Sequence, residues 1–326
     1  MNEITLHGEK TLVLASGRAH PELAQEVAKE LGTELLPMSA YDFANGEIYV
    51  RSGESVRGKD IFVIQAHPAP LNNWLMEQLL MIDSFKRASA KRITAVAPFY
   101  PYARQDKKGR GREPISARLV ADLLKTAGAD RIMSVDLHTA QIQGFFDGPV
   151  DHLFAIPLLA DYIRSRVSSD EITVVSPDTG RVRVAEQWAE RLGGAPLAFV
   201  HKSRDLTVPN QAVSKQVVGQ VEGRTCVLID DMIDTGGTIA GAVRVLKEAG
   251  AKDVIIAATH AVFSDPAAQR LAESGAREVV VTNTLPIPSA KHFDSLTVLS
   301  IAPLIARAIR EVFEDGSVTS LFDGNA

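Results

Sequence analysis

The residues most suited to chemistry are two adjacent carboxylates, Asp230 and Asp231, which stand between an apolar run and a turn rich in threonine and glycine. Small residues at Gly236 and Gly237 let the backbone approach a ligand, and a strand, such a turn and a helix start together expose backbone N–H groups to phosphate. Carboxylates beside this cradle can accept hydrogen bonds from vicinal hydroxyls. The pattern predicts a polyol-phosphate site, with an acidic, well-capped helix start as the alternative. Its candidate residues are Asp230, Asp231, Asp234, Thr235, Gly236, Gly237 and Thr238.

Four further polar residues follow short apolar runs. His138 and Asp178 each stand where a predicted strand ends, and open α/β sheets bind ligands at the carboxyl ends of their strands. A structural histidine and a turn aspartate are the alternatives. Lys202 and Arg204 supply a point charge and a bidentate cation, which suit phosphate oxygens, although an exposed basic turn is equally consistent with them.

A basic, glycine-containing segment occupies residues 104–114, where five cationic residues stand against Asp106 and Glu113. It is either a solvated surface loop or a mobile lid over an anionic substrate, because long loops in compact α/β domains are often functional.

Short apolar runs alternate with amphipathic stretches along the chain, which predicts parallel sheets with helices on both faces. The clearest helix is expected at residues 21–31, and the strand of residues 226–230 is expected to end at the two carboxylates. The other strands are expected at residues 11–15, 61–65, 93–97, 132–136, 173–176, 254–258 and 279–282.

The same order of landmarks occurs twice, which indicates an internal duplication rather than chance similarity. Residues 56–65 align with residues 221–230, so Gln65 and Ala66 stand where the second half has its two carboxylates. The basic segment falls in an interval that is longer in the first half. The sugar-phosphate site is therefore expected in the second half alone.

Bulk properties narrow the class of protein. The chain has 326 residues and a net charge of −5, so no overall basic field would draw it to nucleic acid. Neither a membrane-spanning run nor a signal-peptide core is evident, which predicts a cytoplasmic protein. The single cysteine, Cys226, excludes an internal disulfide and is expected in the core, with a reactive thiol as the alternative.

Residues 227–239 resemble the phosphoribosyl diphosphate binding motif of type I phosphoribosyltransferases and ribose-phosphate diphosphokinases. Residues 43–48, 99–108, 135–146 and 175–180 resemble the diphosphokinases, and the resemblance covers essentially the whole chain. It implies an α/β fold of two tandem type I phosphoribosyltransferase-like domains, residues 1–155 and 156–326, each a mostly parallel sheet flanked by helices. The basic segment would be a catalytic loop at about residues 104–117.

The resemblance implies that the diphosphoryl group of Mg-ATP passes to the 1-hydroxyl of ribose 5-phosphate, giving phosphoribosyl diphosphate and AMP for nucleotide biosynthesis. A phosphoribosyltransferase and a non-catalytic, synthetase-associated regulator are the alternatives. The implied catalytic residues are Lys202, Arg204 and Arg104, and Arg204 would also bind the sugar phosphate. The implied ATP contacts are Phe43, Asn45, Glu47, Arg104, Gln105 and His138. Mg²⁺ would be held by His138 and Asp178, and no residue is marked as a general base.

The resemblance also implies a homo-oligomer, a hexamer built from dimers, in which the loop reaches ATP in a neighbouring subunit. Ser55, Arg57, Ser317 and Thr319 match positions that bind phosphate or ADP effectors in some relatives. Two positions depart from the pattern: Asn45 replaces an aspartate found in many relatives, and Arg181 stands where relatives often have glycine.

Overall fold

The computed structural model describes residues 10–178, 181–203 and 214–322, with the side chains of residues 201–203 and 214–215 also outside the description. The chain divides into two compact units. The first comprises Met1–Leu153 together with Ala302–Ala326, and the second comprises Phe154–Ile301.

The first unit is built on a five-stranded parallel sheet with the strand order β1-β4-β5-β6-β7. A separate antiparallel hairpin is formed by β2 and β3. The strands of the first unit are β1 (Leu12–Ser16), β2 (Met38–Asp42), β3 (Ile48–Ser52), β4 (Asp60–Ile64), β5 (Arg92–Val96), β6 (Arg131–Val135) and β7 (Val150–Leu153). Its first three helices are α1 (Pro21–Leu31), α2 (Leu71–Arg87) and α3 (Ser116–Ala127).

Local sequence explains these elements. All five residues of β4 are buried, as expected of a central strand covered by helices on both faces. Helix α1 begins with Pro21 in its first turn, buries Leu23 and Val27 on one face, and ends at Gly32, whose φ of 68° favours glycine. The predicted helix at residues 21–31 is confirmed.

The second unit contains a seven-stranded sheet with the order β10-β9-β8-β11-β12-β13-β14, parallel except for the β9–β10 pair. Its strands are β8 (Ile172–Ser176), β9 (Leu197–Ser203), β10 (Ser214–Val218), β11 (Thr225–Ile233), β12 (Asp253–Ala261), β13 (Glu278–Thr282) and β14 (Leu296–Leu299). Its helices are α4 (Ile156–Arg164), α5 (Val182–Arg191), α6 (Gly237–Glu248) and α7 (Ala267–Ala272).

The two sheets repeat one plan. The order β1-β4-β5-β6-β7 of the first unit has its counterpart in β8-β11-β12-β13-β14 of the second. Asp60 of β4 pairs with Arg92 of β5, and Thr225 of β11 pairs with Asp253 of β12, so the aligned residues Asp60 and Thr225 hold matching positions in the two sheets. The predicted duplication is confirmed at the level of strand order.

The basic segment lies between β5 and α3. The first unit connects Val96 to Ser116 there, whereas the second connects Ala261 directly onward to Ala267. Six strands were not predicted, namely β2, β3, β7, β9, β10 and β14. Their apolar runs are short or interrupted by polar residues, which makes them hard to recognise from periodicity.

The last helix, α8 (Ala302–Phe313), follows β14 in the chain but packs against α1 of the first unit. The sequence predicted a second domain running from residue 156 to residue 326, whereas Ala302–Ala326 cluster with the first unit. One face of α8, which includes Ile305 and Ile309, is apolar and buried, so this helix is stabilised by packing against another element.

Candidate active site

The two carboxylates lie inside strand β11, so the prediction that the strand ends at residue 230 is wrong. Asp230 pairs with Ala258 of β12, and the pairing with this neighbour continues to Ile233. The other neighbour, β8, pairs only as far as Leu228. Asp230 and Asp231 therefore extend past the paired part of β8, at the carboxyl edge of the sheet where α/β proteins bind ligands.

Arg181, at the start of helix α5, faces this carboxylate pair. The Nε atom of Arg181 lies 3.2 Å from Oδ1 of Asp230, and its terminal nitrogen lies 2.7 Å from Oδ1 of Asp231. The backbone N–H of Asp231 also donates to Oδ1 of Asp230, at 2.9 Å. Burial, followed by the charge of Asp231, raises the pKa of Asp230, while the positive charge of Arg181 lowers it.

The turn after β11 exposes backbone donors as the sequence predicted. Gly236 is the N-cap residue of α6, has a φ of 72° and, as a glycine, offers no side chain to cap the first turn of this helix. Its N–H groups thus remain available to an anion. Thr235, Gly237 and Thr238 are exposed, and Asp234 is half-buried.

Arg270 of α7 is a cation beside this turn that sequence reasoning missed. It donates to the carbonyl oxygen of Thr235 at 3.0 Å. A Cβ atom at Gly237 would lie 3.4 Å from the Arg270 guanidinium, so the arginine sits against the glycine-rich turn. Only the α7 packing reveals this, since Arg270 lies far along the chain from the motif.

In the first unit, the basic segment and the end of β6 enclose a cleft of about 530 Å³. Arg104, Gln105 and His138 line it, as do Lys107 and Thr139. The structure thus brings together three of the residues expected to contact ATP. His138 is half-buried and follows Asp136, whose φ of 38° turns the chain at the carboxyl edge of the sheet.

Asp106 anchors the first turn of the basic segment. Its buried carboxylate accepts hydrogen bonds from the Thr139 hydroxyl and the Gln141 amide, both at 2.8 Å. Glu113 folds the loop on itself, because it accepts the backbone N–H groups of Gly109 and Arg110 at 2.8 Å. The loop is therefore tied to the segment that carries His138.

The predicted adenine contacts share the turn of the β2–β3 hairpin. The Phe43 ring is 46% exposed and meets Tyr41 edge-to-face, with the ring centroids 5.4 Å apart. The Asn45 side-chain oxygen accepts the backbone N–H of Glu47 at 3.2 Å. An aspartate at position 45 could accept the same bond, so the departure at Asn45 preserves the turn.

The first-unit counterpart of the carboxylate pair has become structural. The Gln65 amide donates to Glu77 at 3.0 Å, and Glu77 is fully buried and ion-paired to Arg18 at 2.6 Å. A Cβ atom at Gly17 would lie 2.3 Å from the Gln65 side chain, which leaves no room there for a ligand. In the first unit this position is therefore occupied by a buried polar network of Gln65, Glu77 and Arg18.

Comparison with known proteins decides the family. A model described as the N-terminal domain of ribose phosphate pyrophosphokinase matches residues 12–128, and the phosphoribosyl synthetase-associated domain matches residues 198–323. The ribose-phosphate pyrophosphokinase of Mycobacterium leprae is 70% identical over 97% of both chains, and that of Corynebacterium glutamicum is 69% identical over 98% of both. The chain belongs to the ribose-phosphate pyrophosphokinase family.

A solved member of the family has the same fold. The crystal structure of phosphoribosylpyrophosphate synthetase from Mycobacterium smegmatis matches with a TM-score of 0.90 at 70% identity, covering 94% of this chain and 100% of that chain. Two phosphoribosyltransferase-like domains, a transferase activity and the family predicted from the sequence are therefore confirmed. The alternatives, a phosphoribosyltransferase and a non-catalytic regulator, are not favoured.

Three predicted residues of this family member, Asp178, Lys202 and Arg204, belong to the second unit. Asp178 is exposed just beyond β8, and its backbone carbonyl oxygen accepts the Ser176 hydroxyl at 2.6 Å. The backbone of Lys202 pairs with Lys215 across the β9–β10 hairpin, whereas Arg204 lies outside the described residues.

The four residues expected to bind effectors are exposed. Ser55 and Arg57 lie between β3 and β4, and the Ser317 and Thr319 hydroxyls are 2.8 Å apart.

Proposed function

We propose that this enzyme transfers the diphosphoryl group of Mg-ATP to the 1-hydroxyl of ribose 5-phosphate, producing phosphoribosyl diphosphate and AMP. The observation that carries this proposal is the carboxylate pair of β11 beside the uncapped first turn of α6, in a chain of this family. That combination suits a phosphorylated sugar and serves neither a bare phosphate nor a free sugar equally well.

Ribose 5-phosphate would bind to residues 230–238 of the second unit. Asp230 and Asp231 would accept hydrogen bonds from the vicinal hydroxyls of the ribose. Backbone N–H groups of α6, with the hydroxyls of Thr235 and Thr238, would hold the 5-phosphate, and Arg204 would add a cation. Arg270 lies close enough to the cradle to contribute to its positive potential.

ATP would bind through residues of the first unit. Arg104 and Gln105 would contact the phosphates in the cleft that they share with His138. Phe43 would stack on the adenine ring, while Asn45 and Glu47 would read its polar edge. The exposure of Phe43 supports this role, because a half-exposed aromatic ring on a hairpin turn offers a face for a base to stack on.

The reaction is an attack of the ribose 1-hydroxyl oxygen on the β-phosphorus of ATP. A new O–P bond forms, the bond from the β-phosphorus to the bridging oxygen of the α-phosphate breaks, and AMP leaves with that oxygen. The hydroxyl proton is released, and no residue is assigned as its acceptor. Lys202, Arg204 and Arg104 would stabilise the negative charge that spreads over the transferred group, and closure of the basic loop would exclude water.

Magnesium fits the donors that the family resemblance assigns. Among the residues that the structure describes, no cluster of three or more histidine, cysteine or acidic side chains could hold a metal by itself. A magnesium ion that arrives on ATP needs only one or two protein donors besides phosphate oxygens and water. His138 and the exposed Asp178 would supply them. The ion would neutralise phosphate charge during the transfer.

We extend the proposal to assembly, regulation and location. The enzyme would form a homohexamer from dimers and would act in the cytoplasm in nucleotide biosynthesis. Phosphate and ADP would act as effectors at Ser55, Arg57, Ser317 and Thr319. In the described part of the chain, no helix is long and apolar enough to span a membrane.

The deciding experiment supplies the purified enzyme with ribose 5-phosphate and Mg-ATP labelled at the β-phosphorus. The label is expected in phosphoribosyl diphosphate, with AMP formed in equal amount. Formation of ADP in place of AMP would indicate γ-phosphoryl transfer and overturn the proposal, as would the absence of any AMP. Omission of the sugar phosphate measures the background hydrolysis of ATP.

A further inference from the structure

The structure gives Arg181 two specific partners. Its guanidinium spans the carboxylates of Asp230 and Asp231, at 3.2 Å and 2.7 Å. The three side chains are 18%, 16% and 7% exposed, so the cluster is largely shielded from water. A surface ion pair contributes little to stability, but a shielded and bridging pair fixes its members in place.

Asp230 and Asp231 are adjacent and largely buried, so their negative charges repel each other. Together, burial and the charge of Asp231 raise the pKa of Asp230. A protonated or rotated carboxyl would be a poorer acceptor for two sugar hydroxyls. A planar guanidinium is the group best suited to relieve both problems at once, because it donates to both carboxylates in one fixed geometry.

We propose that Arg181 is a positioning residue for ribose 5-phosphate, which holds Asp230 and Asp231 together as an oriented pair of acceptors for the ribose hydroxyls. This inference rests on the proposed function of residues 230–238. The contacts run from one guanidinium to Oδ1 of each carboxylate, so a single planar group bridges the two side chains. On Asp230 the same oxygen accepts the backbone N–H of Asp231, so the protein engages that oxygen from both sides.

The test compares Arg181→Met with Arg181→Lys in steady-state assays of the full-length enzyme. Arg181→Met is expected to raise KM for ribose 5-phosphate about 10- to 100-fold, because charge-assisted contacts on both acceptors are lost. KM for ATP should change less than about threefold, since the ATP contacts are assigned to other residues. Arg181→Lys should recover part of the affinity, because one ammonium group keeps the charge but cannot span both carboxylates in the same way.

Arg183→Met is the matched control, because Arg183 is an exposed arginine of α5 and loses the same charge. It should leave both KM values close to those of the wild type. Thermal melting and size-exclusion chromatography of all variants check folding. If Arg181→Met unfolds the protein, Arg181→Lys alone still tests the proposal, through a selective rise in KM for ribose 5-phosphate.

Three outcomes are distinguishable. A wild-type enzyme that forms no AMP refutes the proposed function itself. An active wild type with an unchanged KM for ribose 5-phosphate in Arg181→Met overturns only the positioning role. A lowered KM in that variant also overturns it, because Arg181 would then compete with the sugar for the carboxylates.

Discussion

Asp106 gives the sharpest test of how the basic loop is held. Its buried carboxylate accepts two hydrogen bonds, from Thr139 and Gln141, both at 2.8 Å. Hydrogen bonds to a charged group contribute about 1.5–3 kcal/mol each, so Asp106→Ala should weaken the anchor by on the order of 3 kcal/mol. About 1.4 kcal/mol corresponds to a tenfold change in rate, so kcat should fall roughly 100-fold if the anchored loop is the active one.

Asp106→Asn supplies a graded intermediate. An amide oxygen can accept from the same two donors, but neutral hydrogen bonds are about half as strong as charge-assisted ones. The loss should be about 1.5 kcal/mol, and kcat should fall about tenfold. Steady-state assays at saturating ribose 5-phosphate with varied Mg-ATP measure both variants, and KM for ATP should rise as the loop loses its position.

Glu113→Gln is the control for charge. It removes the same unit charge from the same loop, and Glu113 also accepts two hydrogen bonds at 2.8 Å. Those bonds close the loop on itself and do not tie it to the segment after β6. Its effect should therefore be smaller than that of Asp106→Asn. Activity of Asp106→Ala within about threefold of the wild type, or equal losses in Asp106→Asn and Glu113→Gln, would refute the anchor.

Three other predictions follow from the same observations. Lys202→Ala should lower kcat by about two to three orders of magnitude and leave both KM values nearly unchanged, because the Lys202 charge acts chiefly in the transition state. A near-normal kcat in steady-state assays would remove Lys202 from the mechanism. Burial and Asp231 raise the pKa of Asp230 in the fold above its unfolded value, so its ionisation destabilises the ligand-free protein as the pH rises. Asp230→Asn should thus raise the melting temperature more at about pH 9 than at about pH 5, and an equal difference at both contradicts this reasoning. Burial raises the pKa of the Cys226 thiol to about 11. At about pH 8 a thiol reagent should therefore label the native protein at least about 100-fold more slowly than the urea-unfolded chain. Equal labelling rates would mean that the native protein has an accessible thiolate.

The sequence alone determined the plan of the protein. Continuous apolar runs such as that of β4 identify buried parallel strands, because a strand covered on both faces leaves no position for polar residues. The motif at residues 227–239 indicated a sugar-phosphate site from residue types that lie next to each other in the chain. Comparison of Gln65 with Asp230 further indicated which half had kept that site.

Tertiary structure decided the contacts that join distant segments. The extension of β11 past the paired end of β8 places Asp230 and Asp231 within the sheet, and no local pattern encodes where a neighbouring strand stops pairing. The pairing of Arg181 with these carboxylates arises because β8 and β11 are neighbours in the sheet, although they are far apart in the chain. In the same way, Asp106 reads as one more polar residue of a basic loop until the fold buries it against Thr139. Side-chain partners of this kind depend on long-range packing, whereas periodicity reports only what each segment buries.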